Sequence, residues 1–302
     1  MNRVQLRLPA TSANLGPGFD TLALALKLYL EIEAEPAEQF TIDVSGRDAA
    51  ICAATENNLL LDTYRDLLLA NHKPVAPLRL RMNNAIPVGM GCGSSAAVRL
   101  AAVALASHIG GLAWTRDRIL AEACRLEGHP DNAAACWLGG FVASAVNGDQ
   151  VQAVSFAPPP EWRALIVMPR EALATTASRA VLPAAWPRSD VVANLQRVAL
   201  LTAAFARGEP ALLANAMRDR LHQPYRAEVC PLLPKLLPLA GQSGIAGVAL
   251  SGAGPAVLLL AESEHAAYGA KALVTAALKS SSDAEILVCE LESQPAFAAP
   301  VD

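Results

Sequence analysis

The chain has 302 residues, a mild acidic excess with a formal charge of -4, and 53% apolar residues. That length allows one large domain or two ordinary ones around a sizeable core, and the diffuse negative charge leaves no footprint for nucleic acid. The cysteines (Cys52, Cys92, Cys124, Cys136, Cys230 and Cys289) form no CxxC pair and no zinc spacing with histidine, which predicts a reduced, cytoplasmic protein.

In chain order, residues 4–8 alternate and predict a first strand, and residues 9–20 read as a loop broken by Asn14, Gly16, Pro17 and Gly18. Strands are expected at 22–33, 41–45 and 78–82, with a helix at 57–70 between them. A glycine-rich loop at 87–93 leads into a buried helix of small residues at 94–108, stopped by Gly110 and Gly111. Thr115 is the expected N-cap of a helix at 116–126 that ends at Gly128, and Asp131 reads as the cap of a short helix to Leu138. Residues 141–146 and 151–156, joined through Asn147-Gly148, predict a β-hairpin. Pro158, Pro159 and Pro160 mark the clearest composition break. The expected domains are therefore 1–159 and 160–302.

The second half predicts a strand at 164–168, helices at 190–207 and 210–221, and a helix at 265–279 before a last strand at 286–290. Residues 294–302 read as a frayed tail. The uncharged stretch 236–261 is long enough to span a bilayer. Gly241, Gly244, Gly247, Gly252, Gly254 and Pro255 interrupt it, so it reads as strand, turn and strand, and no membrane association is expected. Interleaved strands and helices without regular βαβ spacing predict an α+β fold with mixed sheets.

The most informative segment is Ile86-Pro87-Val88-Gly89-Met90-Gly91-Cys92-Gly93-Ser94-Ser95-Ala96-Ala97. Alternate glycines let the backbone approach a ligand and adopt positive φ. The loop feeds directly into a helix, whose free N–H groups and dipole favour an anion, most naturally a polyphosphate. No Lys-Ser/Thr follows the last glycine, so this is not a Walker loop, and the third glycine falls too early for a dinucleotide fingerprint. The segment resembles the phosphate-binding motif of the GHMP kinases, Pro-x-x-x-Gly-Leu-Gly-Ser-Ser-Ala, with Cys92 in place of the usual leucine.

Three further segments resemble the homoserine kinases within that class. They are Pro9-Ala10-Thr11-Ser12-Ala13-Asn14-Leu15-Gly16-Pro17-Gly18-Phe19-Asp20, Glu127-Gly128-His129-Pro130-Asp131-Asn132, and Leu250-Ser251-Gly252-Ala253-Gly254-Pro255-Ala256. Residues 175–183 and 219–226 match more weakly. The resemblance implies the GHMP kinase fold, an N-terminal domain like ribosomal protein S5 domain 2 and a ferredoxin-like C-terminal domain. It also implies ATP and Mg²⁺, L-homoserine as phosphoryl acceptor, and a homodimer.

By the same resemblance, residues Pro87, Val88, Gly89, Met90, Gly91, Cys92, Gly93, Ser94 and Ser95 bind the nucleotide, with Asn58 on its adenine side. An amino-acid acceptor needs an acid for its ammonium and arginines for its carboxylate. Asp20 beside Asn14 fits the first role. The resemblance assigns the second to Arg179 and Arg226, with Arg220 as the alternative to Arg226. His129 and Asn132 line the acceptor pocket, with Asn132 at the reacting hydroxyl. The metal is expected on Ser94, Ser95 and Glu127, with Glu122 as the alternative carboxylate. A GHMP kinase for another small alcohol, or a catalytically silent nucleotide-binding protein, would share the loop; the acceptor pocket discriminates between them.

Overall fold

The amino-terminal residues enter a twisted antiparallel pair that forms the spine of the first sheet, as seen in the computed structural model, which describes residues 3–278 and 284–301. Strand β1 (Arg3–Asn14) alternates at first, burying Val4, Leu6 and Leu8, and then is buried continuously to Asn14. It pairs antiparallel with β2 (Gly18–Pro36), with register shifts at Pro9/Ala10 and Ala13/Asn14. The loop expected over 9–20 is thus mostly strand. Thr11 and Ser12 sit in the ladder opposite Ala25 and Leu24, and only the turn 15–17 remains. Small polar side chains fit here because the strand is covered on both faces.

Next come β3 (Thr41–Gly46), α1 (Ala49–Cys52), α2 (Leu59–Ala70) and β4 (Leu78–Asn84), with β3 parallel to β4 and the sheet therefore mixed. Helix α3 (Ser94–His108) lies in the core beside the first sheet, with Leu100 through Ser107 all buried. Its alanines allow the close approach of α2, α4 (Arg116–Glu127), α5 (Asp131–Leu138) and β1. Thr115 caps α4 as expected, accepting from the Arg118 amide, and Gly128 ends it at φ 82°. The hairpin β5 (Phe141–Asn147) and β6 (Gln150–Phe156) joins the sheet through β2. Asn147 pairs with Gln150, so its turn is Gly148-Asp149, one residue later than expected.

The second sheet is antiparallel in the order β10-β7-β9-β8: β7 (Arg163–Met168), β8 (Ile245–Leu250), β9 (Val257–Ala261) and β10 (Glu285–Glu290). The uncharged stretch is indeed a buried strand pair, and no helix among the described residues is long and apolar enough to cross a membrane. Helices α6 (Thr175–Ala180), α7 (Arg188–Arg207), α8 (Leu213–Ala216), α9 (Gln223–Arg226), α10 (Leu233–Leu236) and α11 (Glu264–Leu278) complete this half. The end of the helix expected at 265–279 lies outside the described residues.

Two expectations for the second half are corrected. The helix read over 210–221 breaks into a 3₁₀ turn, Pro210–Leu212, and the single turn of α8. The cause is tertiary: Asp219 draws the amides of Leu221, His222 and Gln223 onto its carboxylate and turns the chain, while Met217 docks on Gly16. The frayed tail is instead strand β11 (Phe297–Val301), antiparallel to β1 with Arg3 opposite Val301 and Arg7 opposite Phe297. Small residues there satisfy the otherwise open edge of the first sheet. Removing residues 296–302 should lower the melting temperature by roughly 5 °C, because a full strand of ladder hydrogen bonds is lost. An unchanged thermal melt would show that β11 adds no stability.

Candidate active site between the two sheets

The loop after β4 is set up by a buried asparagine. Asn84 accepts from the Ile86 amide (3.1 Å) and donates to the carbonyls of Ile86 and Arg47 (3.0 Å each), which turns the chain out of the strand. The Val88 amide then donates to Asp48 Oδ2 (3.0 Å). Gly91 and Gly93 have φ of 77° and 72°, and Gly93 occupies the N-cap of α3 without any side-chain cap. The first amides of that long buried helix are therefore left to a ligand.

A second reason for the glycines comes from packing. A Cβ on Gly91 would lie 2.3 Å from the Ser251 carbonyl, and one on Gly93 only 1.9 Å from Thr11 Oγ1. The 251–254 turn braces the loop from behind. Ser251 Oγ donates to Gly91 O (2.8 Å) and contacts Ser12 Oγ (2.9 Å), and the Gly252 amide donates to Ala13 O (3.0 Å).

Across the gap stands the turn between β1 and β2. Asn14, Leu15 and Asp20 adopt positive φ. Asn14 Oδ1 accepts from the Asp20 amide (3.0 Å) and its Nδ2 donates to Gly252 O (2.8 Å). Asp20 is gripped at two points by Arg179, at 2.6 and 3.1 Å. That pairing outweighs burial and holds the Arg179 guanidinium above its ordinary pKa. Arg226 is buried beside it, and burial together with the charge of Arg179 lowers its pKa. From the start of α5, His129 Nδ1 bonds Asp131 Oδ1 (2.6 Å), which also accepts from the Asn132 amide (2.7 Å). Thr11 Oγ1 donates to Asn132 Oδ1 (2.7 Å).

These groups share one cavity of about 380 Å³. It brings together Asn14, Asp20, Gly89, Gly91, Cys92, Gly93, Ser94, Ser95, Glu127, His129, Asn132, Arg179 and Arg226. Of the two candidate carboxylates, Glu127 faces it, with Ser95 Oγ donating to Glu127 Oε1 at 2.7 Å and Arg99 Nε at 3.3 Å. Glu122 points away and pairs with Arg125. Of the two candidate arginines, Arg226 lines the cavity, whereas Arg220 pairs with Asp190 nearer the surface.

Pro87, Val88, Met90 and Asn58 do not line the cavity. Val88 has its amide tied to Asp48. Asn58 is the N-cap of α2: its Oδ1 takes the Leu60 and Leu61 amides and its Nδ2 donates to Cys52 O and Ala54 O. A side chain so committed has little left for an adenine. Cys92 is almost wholly buried, and burial pushes its thiol up to about 12, so it is a packing residue and not a reactive neighbour of the ligand.

Sequence reasoning missed several residues that build this site. Thr11 joins the loop to Asn132, Arg99 sits at Glu127 one helical turn beyond Ser95, and Thr175 and Thr176 line the cavity. Asp131 is not the N-cap, a place held by Pro130; it is a buried carboxylate orienting His129. Position i+4 from Ser95 on α3 was the available signal for Arg99; the other contacts depend on distant chain and had none.

Known proteins resemble this chain along most of its length. The GHMP kinases N-terminal domain family model matches residues 58–140 and the GHMP kinases C-terminal model residues 201–280. The homoserine kinase of Solibacter usitatus is 45% identical over 85% of this chain and 84% of its own length. That of Moorella thermoacetica is 40% identical over 84% and 86%. Two solved structures share the fold at low identity. The homoserine kinase from Cytophaga hutchinsonii superposes with a TM-score of 0.82 at 23% identity, covering 99% of this chain and 98% of that one. The L. major mevalonate kinase, in complex with R-mevalonate, gives 0.69 at 16%, covering 96% of each.

Two outcomes follow from the geometry. Gly91→Ala forces a side chain against the Ser251 carbonyl at positive φ; ATP affinity should fall at least about tenfold and the melting temperature should drop. A normal nucleotide titration would show that the loop tolerates the change. His129 is the pH-sensitive member. Burial works to lower its pKa, but the hydrogen bond and charge of Asp131 prevail and hold it above the ordinary value. A raised pKa means stabilisation that is complete below about pH 6.5 and lost as pH rises through the higher folded value. Wild type should therefore gain melting temperature over His129→Gln at pH 6 more than at pH 8; an equal gap at both would remove the linkage.

Proposed function

Because the chain belongs to the homoserine kinases of the GHMP class, we propose that it transfers the γ-phosphoryl group of ATP to the side-chain hydroxyl of L-homoserine, giving ADP and O-phospho-L-homoserine. One observation carries the reading. A single cavity has uncapped helix amides on one wall and, on the other, Asp20 with two guanidinium groups. That is a seat for a polyphosphate opposite a seat for a zwitterion carrying an alcohol.

Phosphoryl transfer needs positioning and neutralisation of charge more than covalent help. The amides at the start of α3 take the phosphate oxygens. Asp20 takes the substrate ammonium, and Arg179 with Arg226 takes its carboxylate. Asn132 has its Oδ1 engaged by Thr11, which orients the amide toward the acceptor hydroxyl. An amide is no base at neutral pH, so the hydroxyl proton passes to the transferring phosphate.

Ser94, Ser95 and Glu127 offer the hard oxygen donors that Mg²⁺ prefers, and Ser95 and Glu127, joined at 2.7 Å, would hold such an ion. When bound, such an ion offsets charge on the β- and γ-phosphates.

The family further supports a place in threonine biosynthesis, a cytoplasmic homodimer, and functional halves at 1–159 and 160–302, with β11 returning to the first half.

A coupled ADP-release assay with ATP and Mg²⁺ tests the reading. L-Homoserine should be turned over, and mevalonate and galactose should not; turnover of either in place of homoserine would replace the acceptor. Glu127→Gln should reduce kcat by a factor of about 100 or more. Arg179→Ala should mainly raise the KM for homoserine, by roughly 10- to 100-fold, through loss of a charged hydrogen-bond pair. Full activity in Asn132→Ala would leave Asn132 without a role.

A further inference from the structure

His222 belongs to none of the groups assigned above, yet it is wholly buried between the two halves of the acceptor grip. Its Nε2 lies 2.7 Å from the Gly16 carbonyl, in the turn that carries Asp20. A carbonyl only accepts, so the proton sits on Nε2. Its Nδ1 lies 3.1 Å from Arg226 Nη1, and guanidinium only donates, so Nδ1 must present a lone pair. The two partners together dictate one neutral tautomer. A protonated ring would turn an N–H toward the guanidinium. Burial likewise lowers the His222 pKa, with Arg226 adding to that and Asp219 opposing it.

The surroundings hold the ring still. It stacks on Phe19 with centroids 5.2 Å apart, and Phe19 directly precedes Asp20. The Arg226 and Arg179 guanidinium carbons lie 5.3 and 5.5 Å from that same Phe19 ring. Asp219 accepts the amides of Leu221, His222 and Gln223 and the Asn194 side chain (2.6 Å), so the backbone around His222 is tied down at three successive amides. Asp219 stands 3.7 Å from Nε2, beyond hydrogen-bond reach.

Arg226 is thereby aimed. Its Nε donates to Ser178 O (3.2 Å) and its Nη1 to His222 Nδ1 and Gly252 O (3.3 Å). Among the described residues no partner engages Nη2, and Arg226 lines the cavity. We infer that His222 is a positioning residue for the acceptor: its Nδ1 fixes the guanidinium so that Nη2 faces the substrate carboxylate, while its Nε2–H, bonded to Gly16, serves only to set the tautomer that leaves Nδ1 a lone pair. The inference rests on the homoserine reading above and deepens it by naming what aims the carboxylate seat.

The test separates the two ring nitrogens. His222→Asn keeps an acceptor near the position of Nδ1, and His222→Gln keeps a donor near that of Nε2. Wild-type turnover of L-homoserine, measured first, reports on the functional reading alone. The variants then report on His222. His222→Gln should raise the KM for homoserine at least about tenfold, while His222→Asn stays within about threefold of wild type, and the KM for ATP stays within about twofold in both. Equal rises in the two variants, no rise in either, or an effect confined to kcat or to ATP would overturn the inference. Wild-type protein labelled with ¹⁵N-histidine supplies a readout that needs no variant. The His222 ring should show the neutral Nε2–H pattern, and its Nδ1 signal should shift on adding homoserine but not ADP. A protonated ring, or an Nδ1 signal indifferent to homoserine, would equally end it.

Discussion

The site depends on how closely two backbone turns can approach each other. Gly91 and the Ser251 carbonyl are so close that no side chain fits between them, and Ser251 Oγ bonds the loop carbonyl from the same place. One turn follows a strand of the first sheet and the other joins two strands of the second. The glycine-rich loop is therefore held in shape by the opposite half of the molecule. Interiors respond to misfit in steps, because close-packed groups have few intermediate arrangements. A change in the relative seating of the sheets would shift the loop amides and the acceptor wall together.

The same close approach explains why polar residues can be buried here. Thr11, Ser12, Asn14 and Ser251 are shut away from water; Ser12, Ser251 and Asn14 find their partners across the junction, and Thr11 finds Asn132 within the first half. No buried side-chain nitrogen or oxygen among the described residues lacks a hydrogen bond. A fully satisfied network of this kind rigidifies, whereas a partly satisfied one is costly. The site thus has a stiff frame.

Much of this was legible in the chain. The glycine rhythm ahead of a small-residue helix pointed to the loop that opens on the cavity, and Asp20, His129, Arg179 and Arg226, singled out in distant segments, all line it. What could not be read was which of those groups are consumed internally. Asn58 looks free in sequence but spends its amide on capping α2, and the Val88 amide is taken by Asp48. The partner of Asn132 is Thr11, and that of Asn14 is the Gly252 carbonyl; nothing local announces either. The misread segments have the same origin. The 210–221 helix yields to the Asp219 turn and to docking on Gly16, and the small-residue tail is strand only because β1 has an edge to fill.

Three charge pairs line the cavity. Asp20 is held by Arg179, Glu127 by Arg99, and His129 by Asp131. Each pair spares a partly buried ion the cost of standing alone. On the proposed reading, a zwitterion entering between Asp20 and Arg179 brings one charge of each sign and exchanges an internal ion pair for two external ones. A neutral alcohol of the same size would have to separate that pair and offer neither replacement. Discrimination for an amino acid then comes as much from the pair that must be opened as from the bonds the substrate forms. The binding energy left over is reduced wherever a new ion pair replaces the one between Asp20 and Arg179.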